Sequence, residues 1–80
     1  MKSGERYIFS ADVGLERVFI EGTAPFQVLY AHSDPEEWMC YMVADANGVN
    51  ALRSMSDGIR MVFDDPNNAA IICKALAEQP

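Results

Sequence analysis

Two runs of alternating apolar and polar residues, "ERYIFSA" and "ERVFIE", flank Asp12-Val13-Gly14-Leu15. A period of two puts successive side chains on opposite faces, the pattern of a half-buried strand and not of a helix. The glycine supplies the left-handed backbone that a tight turn needs. The stretch from Glu5 to Glu21 therefore predicts a β-hairpin. With Ala11 opposite Glu16, Tyr7 meets Ile20 and Phe9 meets Val18 on one face, while Ile8 meets Phe19 and Arg6 meets Glu21 on the other. Aromatic, β-branched and opposite-charge neighbours are favourable across strands, which supports this register.

Beyond the break Gly22-Thr23-Ala24-Pro25, "FQVLYAH" predicts a third strand and "WMCYMVA" a fourth. Between them Ser33-Asp34-Pro35-Glu36-Glu37 has the Asp-Pro chemistry of a turn, which places three carboxylates on a hairpin tip. In "NGVNALRSMSDG" two signals compete: Asn47-Gly48 favours a hairpin, whereas Val49, Leu52 and Met55 at helical spacing before Gly58 favour a short helix. The helix is the preferred reading for 48–57. "IRMVF", residues 59 to 63, predicts a fifth strand. A final helix follows, with Asp65 as its cap, Pro66 at its first position, and Ala69, Ile72, Cys73 and Leu76 on one face.

The fold class is thus α+β: a mostly antiparallel sheet of four to five strands with one or two helices packed on one face. Eighty residues, half of them apolar, suffice for one core, and a single domain over 1–80 is expected. Both faces of the sheet carry apolar residues. Tyr7, Phe9, Val18, Ile20, Val28 and Tyr30 form one face, and Ile8, Phe19, Leu29, Met39 and Tyr41 are left for the other. A second subunit or a target protein could cover that second face, so a homodimer is one expectation.

No constellation in the sequence names a reaction. His32 lies near Asp34, yet no serine sits in an activated turn beside it. His32, Cys40 and Cys73 lack the close ligand pair of a structural zinc site, and "DANG" at 45–48 starts like a calcium loop without its later ligands. Asp34, Glu36 and Glu37 resemble the carboxylates of glycoside chemistry, but a chain this short offers little cleft. No catalytic residue, metal or cofactor is expected, and the protein is not expected to be an enzyme. Cys40 and Cys73 are expected to be reduced, buried thiols in a cytosolic protein. No segment has the length and apolarity of a signal peptide or a membrane span.

The charge is the more informative property. Twelve acidic residues against six basic ones give a formal net charge of −6. Such a domain repels nucleic acid and anionic membranes and is attracted to cationic surfaces, which belong mostly to machinery that handles nucleic acid. Carboxylates on turns can occupy places where phosphates would bind. In size, acidity and its acidic turns "DVGLE", "SDPEEW" and "FDDP", the chain resembles the small inhibitors encoded by phages and mobile elements, of the anti-CRISPR type. That resemblance implies stoichiometric occlusion: docking on a basic channel of a CRISPR effector so that DNA is blocked. The candidate contacts are Asp12, Glu16, Glu21, Asp34, Glu36 and Glu37. Trp38 serves either as a core residue or as the apolar anchor of that surface. An immunity protein that neutralises a basic toxin has the same physics and is the alternative.

Overall fold

The computed structural model describes residues 1–13, 16–32 and 39–78, with the side chains of Val13, Glu16, His32 and Met39 also outside the description. Among the described residues there are five strands, β1 (Arg6–Val13), β2 (Glu16–Thr23), β3 (Gln27–His32), β4 (Met39–Ala44) and β5 (Leu52–Ser54), and one helix, α1 (Pro66–Ala77). The α+β class holds. The strands form two antiparallel sheets instead of one, with orders β1-β2-β5 and β3-β4.

The first hairpin is there, but its register is shifted by two residues from the expected one. Val13 stands opposite Glu16, so Phe9 meets Ile20, Ala11 meets Val18, Tyr7 meets Gly22 and Ile8 meets Glu21. A slip of one residue would have turned every side chain over, whereas a slip of two keeps each on its expected face. The longer ladder also adds the pair Asp12↔Arg17, which closes as an ion pair of 2.9 Å. Arg6 and Glu21 still meet, now on the diagonal.

In the second sheet β3 and β4 pair from Gln27↔Ala44 to His32↔Met39. Tyr41 stands opposite Tyr30, and the two rings pack edge to face at 5.7 Å. Tyr41 therefore shares the face of Val28 and Tyr30 and does not belong to the second face, as the alternation had suggested. The residues between the paired ends, 33–38, lie outside the described residues.

The expected helix over 48–57 is not formed. After β4 the chain turns through Asp45–Gly48, with Gly48 at φ +83°, and returns so that Asn50 bridges Ala44. The Asn-Gly turn signal prevailed over the helical spacing. The reason is burial: of the supposed helical stripe only Leu52 is enclosed, while Val49 and Met55 are 50% and 49% exposed. Strand β5 instead pairs with β2, placing Leu52 opposite Ile20. Residues 59–63 are extended but make isolated bridges, not a fifth full strand: Arg60 pairs with Arg53 and Phe63 with Tyr41. Because Met61 N–H donates to Leu52 and Phe63 N–H to Tyr41, this segment clips one sheet to the other. Ala51 does the same, donating to Val43 on β4 and accepting from Glu21 on β2.

Helix α1 follows its sequence signals. The Asp65 carboxylate accepts from Asn67 N–H at 2.9 Å, Pro66 occupies the first turn, and Ala69, Ile72 and Leu76 are buried. Asn67 N–H is one of the donors that a helix start leaves without an internal partner, and the cap satisfies it. The helix lies against β4 and β3. Its apolar face closes a core of Val18, Ile20, Val43 and Leu52, against which Phe9, Ala11, Phe26, Val28, Met61, Phe63 and Cys73 pack.

Candidate functional site

The outer face of the three-stranded sheet gathers the charges that alternation assigns to it. Arg6, Ile8, Ser10 and Asp12 of β1 stand opposite Thr23, Glu21, Phe19 and Arg17 of β2. Two candidate contact residues lie there, and each is engaged within the chain: Asp12 accepts from Arg17, and Glu21 accepts from Arg6. These pairs are largely exposed and screened by solvent, so each holds its carboxylate only weakly. Ile8 remains 59% exposed among them. The second face is thus mixed rather than continuously apolar. Glu16 opens β2 opposite Val13. Asp34, Glu36, Glu37 and Trp38 lie outside the described residues.

The residue that sequence reasoning missed is Asp45, the one buried charged residue of the described chain, at 4% exposure. Its Oδ1 accepts from the backbone N–H of Asn47 (2.9 Å) and of Val49 (3.1 Å), and its Oδ2 accepts from Thr23 N–H (3.0 Å). Burial pushes this carboxyl up, but the three N–H donors and the field of Arg6 outweigh it and hold the pKa below the ordinary carboxylate value. The side chain therefore stays ionised and ties the turn after β4 to the end of β2. Its closeness to β2 explains Gly22, where a Cβ would stand 2.6 Å from Asp45 Cβ. "DANG" is thus a side-chain-bonded turn, whose carboxylate oxygens are taken by backbone N–H groups.

Beside this turn opens a cleft of about 280 Å³ whose lining includes Arg6, Arg53 and Arg60 together with Glu21 and Asp45. A second, shallower depression follows the segment 54–62, where Ile59 and Val62 are 64% and 51% exposed near Asp57. No cluster of three metal-ligating side chains occurs among the described residues. Cys40 and Cys73 are free thiols, half-buried and not fully enclosed as expected. Burial pushes the Cys73 thiol up, which favours its protonated form. No described helix is long and apolar enough to cross a membrane.

No family model, curated protein or solved structure matches the chain. The functional reading rests on its own surface chemistry.

Proposed function

We propose that this protein is a small acidic inhibitor that docks on a basic surface of nucleic-acid-handling machinery and blocks access to it, in the manner of anti-CRISPR occlusion of a CRISPR effector. One observation supports this reading above the others: the negative charge is left open. Among the described residues Arg6 and Arg17 are the side chains seen in ion pairs, and the exposed carboxylates of Glu5, Asp57, Asp64 and Glu78 have no cationic partner there. Exposed apolar groups, Met55, Ile59 and Val62, stand in the same segment as Asp57 and Asp64. Carboxylates around apolar anchors suit a target that offers arginines and lysines around an apolar spot.

The carboxylates of Asp34, Glu36 and Glu37 are the proposed primary contacts, with Trp38 as their anchor. Asp12, Glu16 and Glu21 form a secondary edge, in which Asp12 and Glu21 exchange their own arginines for those of the target. Such an exchange costs little, since exposed pairs contribute about 0–1 kcal/mol. The protein would act without a cofactor and without touching nucleic acid itself.

The test is a plasmid-interference assay in cells carrying an active CRISPR effector, followed by binding kinetics on any effector that is silenced. Inhibition should be stoichiometric, and the association rate should fall as salt rises. Neutralising Asp34, Glu36 and Glu37 together should leave the melting temperature nearly unchanged and weaken binding. Trp38→Ala should cost more than about 2 kcal/mol of affinity with folding intact. Intact interference by every effector tried, or an association rate indifferent to salt, sinks this reading. If the chain protects instead against a basic toxin, the immunity-protein alternative takes its place.

A second reading rests on β1, which among the described residues has a strand on one side only. An eight-residue open edge can pair with another copy of itself. Sedimentation of the protein by itself distinguishes a dimer of this kind from a monomeric inhibitor.

A further inference from the structure

We propose that the cleft between Arg6, Arg53 and Arg60 is a binding site for a tetrahedral dianion, a free phosphate or the phosphate group of a small monoester. Half of the six basic side chains of a chain with net charge −6 line this one cleft. Two of them, Arg53 and Arg60, face each other in a direct cross-strand bridge. Like charges in that position repel and destabilise the pairing. Neither guanidinium has an ion-pair partner among the described residues, and the two carboxylates that share the cleft are bonded elsewhere.

The two carboxylates within the cleft each have partners of their own, a weak one for Glu21 and strong ones for Asp45. Glu21 takes Arg6, and Asp45 takes three backbone N–H groups. Asn50 is engaged as well, since its amide donates to the Met61 carbonyl and its oxygen accepts from Leu52 N–H. The guanidinium groups of the opposed pair, Arg53 and Arg60, make no hydrogen bond or ion pair with the described residues and are open to a ligand. A planar guanidinium presents parallel N–H groups to two oxygens of an anion. A single fork takes up both oxygens of a carboxylate along its open side, whereas a tetrahedral phosphate presents a separate pair of oxygens to each of two forks. Its double charge also relieves the repulsion between them. The cleft volume of about 280 Å³ lies just below the usual range of ligand pockets, which suits a phosphate group and its immediate substituent and not a large metabolite.

The site goes beyond the inhibitor reading and is tested without any target protein. Amide and arginine side-chain NMR shifts of the whole chain are followed during titration with inorganic phosphate, and in a parallel arm with glycerol phosphate, at ionic strength held constant with chloride. Saturable shifts should gather on Arg53, Arg60, Arg6 and the turn at 45–50. Tighter binding of the monoester assigns the cleft to an esterified phosphate, and equal or tighter binding of inorganic phosphate to the free ion. Arg53→Gln and Arg60→Gln should each weaken binding by about tenfold or more, because each removes one fork. Arg53→Lys and Arg60→Lys keep the charge, protect the fold, and should still weaken it. Arg17→Gln, outside the cleft, should bind like the wild type. The phosphate-free melting temperature of Arg60→Gln should equal or exceed that of the wild type, as the repulsion is gone. Shifts that fail to saturate in both arms, that spread equally to Arg17 and Lys74, or that survive the glutamine substitutions overturn the proposal.

Discussion

Replacing Asp45 by alanine tests whether one ionised side chain holds the two sheets in place. The substitution leaves three backbone donors, Thr23, Asn47 and Val49, without an acceptor. An unsatisfied buried donor costs about 1–3 kcal/mol. Asn47 and Val49 are exposed residues, so water replaces part of what their N–H groups lose, while the half-buried Thr23 keeps most of its penalty. The expected loss is therefore about 2–4 kcal/mol, out of the roughly 4–12 kcal/mol that a chain of this length commands. Asp45→Asn retains an oxygen for Asn47 and Val49 but turns an amide N–H₂ toward Thr23, and about 1–3 kcal/mol should be lost. Urea unfolding at neutral pH measures both. The carboxyl adds a pH signature. Its folded pKa is lowered, so the unfolded state binds the extra proton first; the stabilisation is present above the unfolded value of about 3.9 and is lost as pH falls through the folded one. The acid limb of the stability curve should be shallower in Asp45→Asn than in the wild type. An alanine variant within about 0.5 kcal/mol of the wild type, or an unchanged acid limb in the asparagine variant, would refute the reasoning.

Three further outcomes are expected. Gly22→Ala drives a Cβ to within 2.6 Å of Asp45 Cβ, and overpacking of this kind should cost about 1–3 kcal/mol in a denaturant melt. Leu52→Ala, at a fully buried position, should cost about 2–5 kcal/mol, while Met55→Ala, half exposed, should stay within about 0.5 kcal/mol; equal losses at the two positions would contradict the strand assignment of this segment. Asp65→Ala removes the cap of α1 and should lower stability by about 1 kcal/mol, with amide exchange accelerated first at Asn67.

How far the sequence determines this protein is clearest where local chemistry is unopposed. The period of two in "RYIFSADV" and "ERVFIEGT" specified β1, β2 and the face of each side chain, because alternation is a property of the strand itself. Asp65, Pro66 and the spacing of Ala69, Ile72 and Leu76 specified α1 for the same reason: cap, first turn and buried face all lie within one short stretch. The charge of −6 is likewise a property of composition.

Register and partnership were decided elsewhere. A slip of two residues leaves the apolar pattern intact, so alternation by itself does not choose between the two registers; the one formed has the longer ladder and the pair Asp12↔Arg17. Leu52 had to find Ile20 on a strand 32 positions away before its segment could become β5 instead of a helix. The split into two sheets, the clip formed by 59–63 and the presence of Arg6, Arg53 and Arg60 in the lining of one cleft all join segments distant in sequence. Asp45 shows the reason most directly. In the sequence it is one of twelve acids; a buried carboxylate is retained only where backbone donors from two separate strand ends surround it, and only the tertiary fold brings Thr23 to Asn47 and Val49.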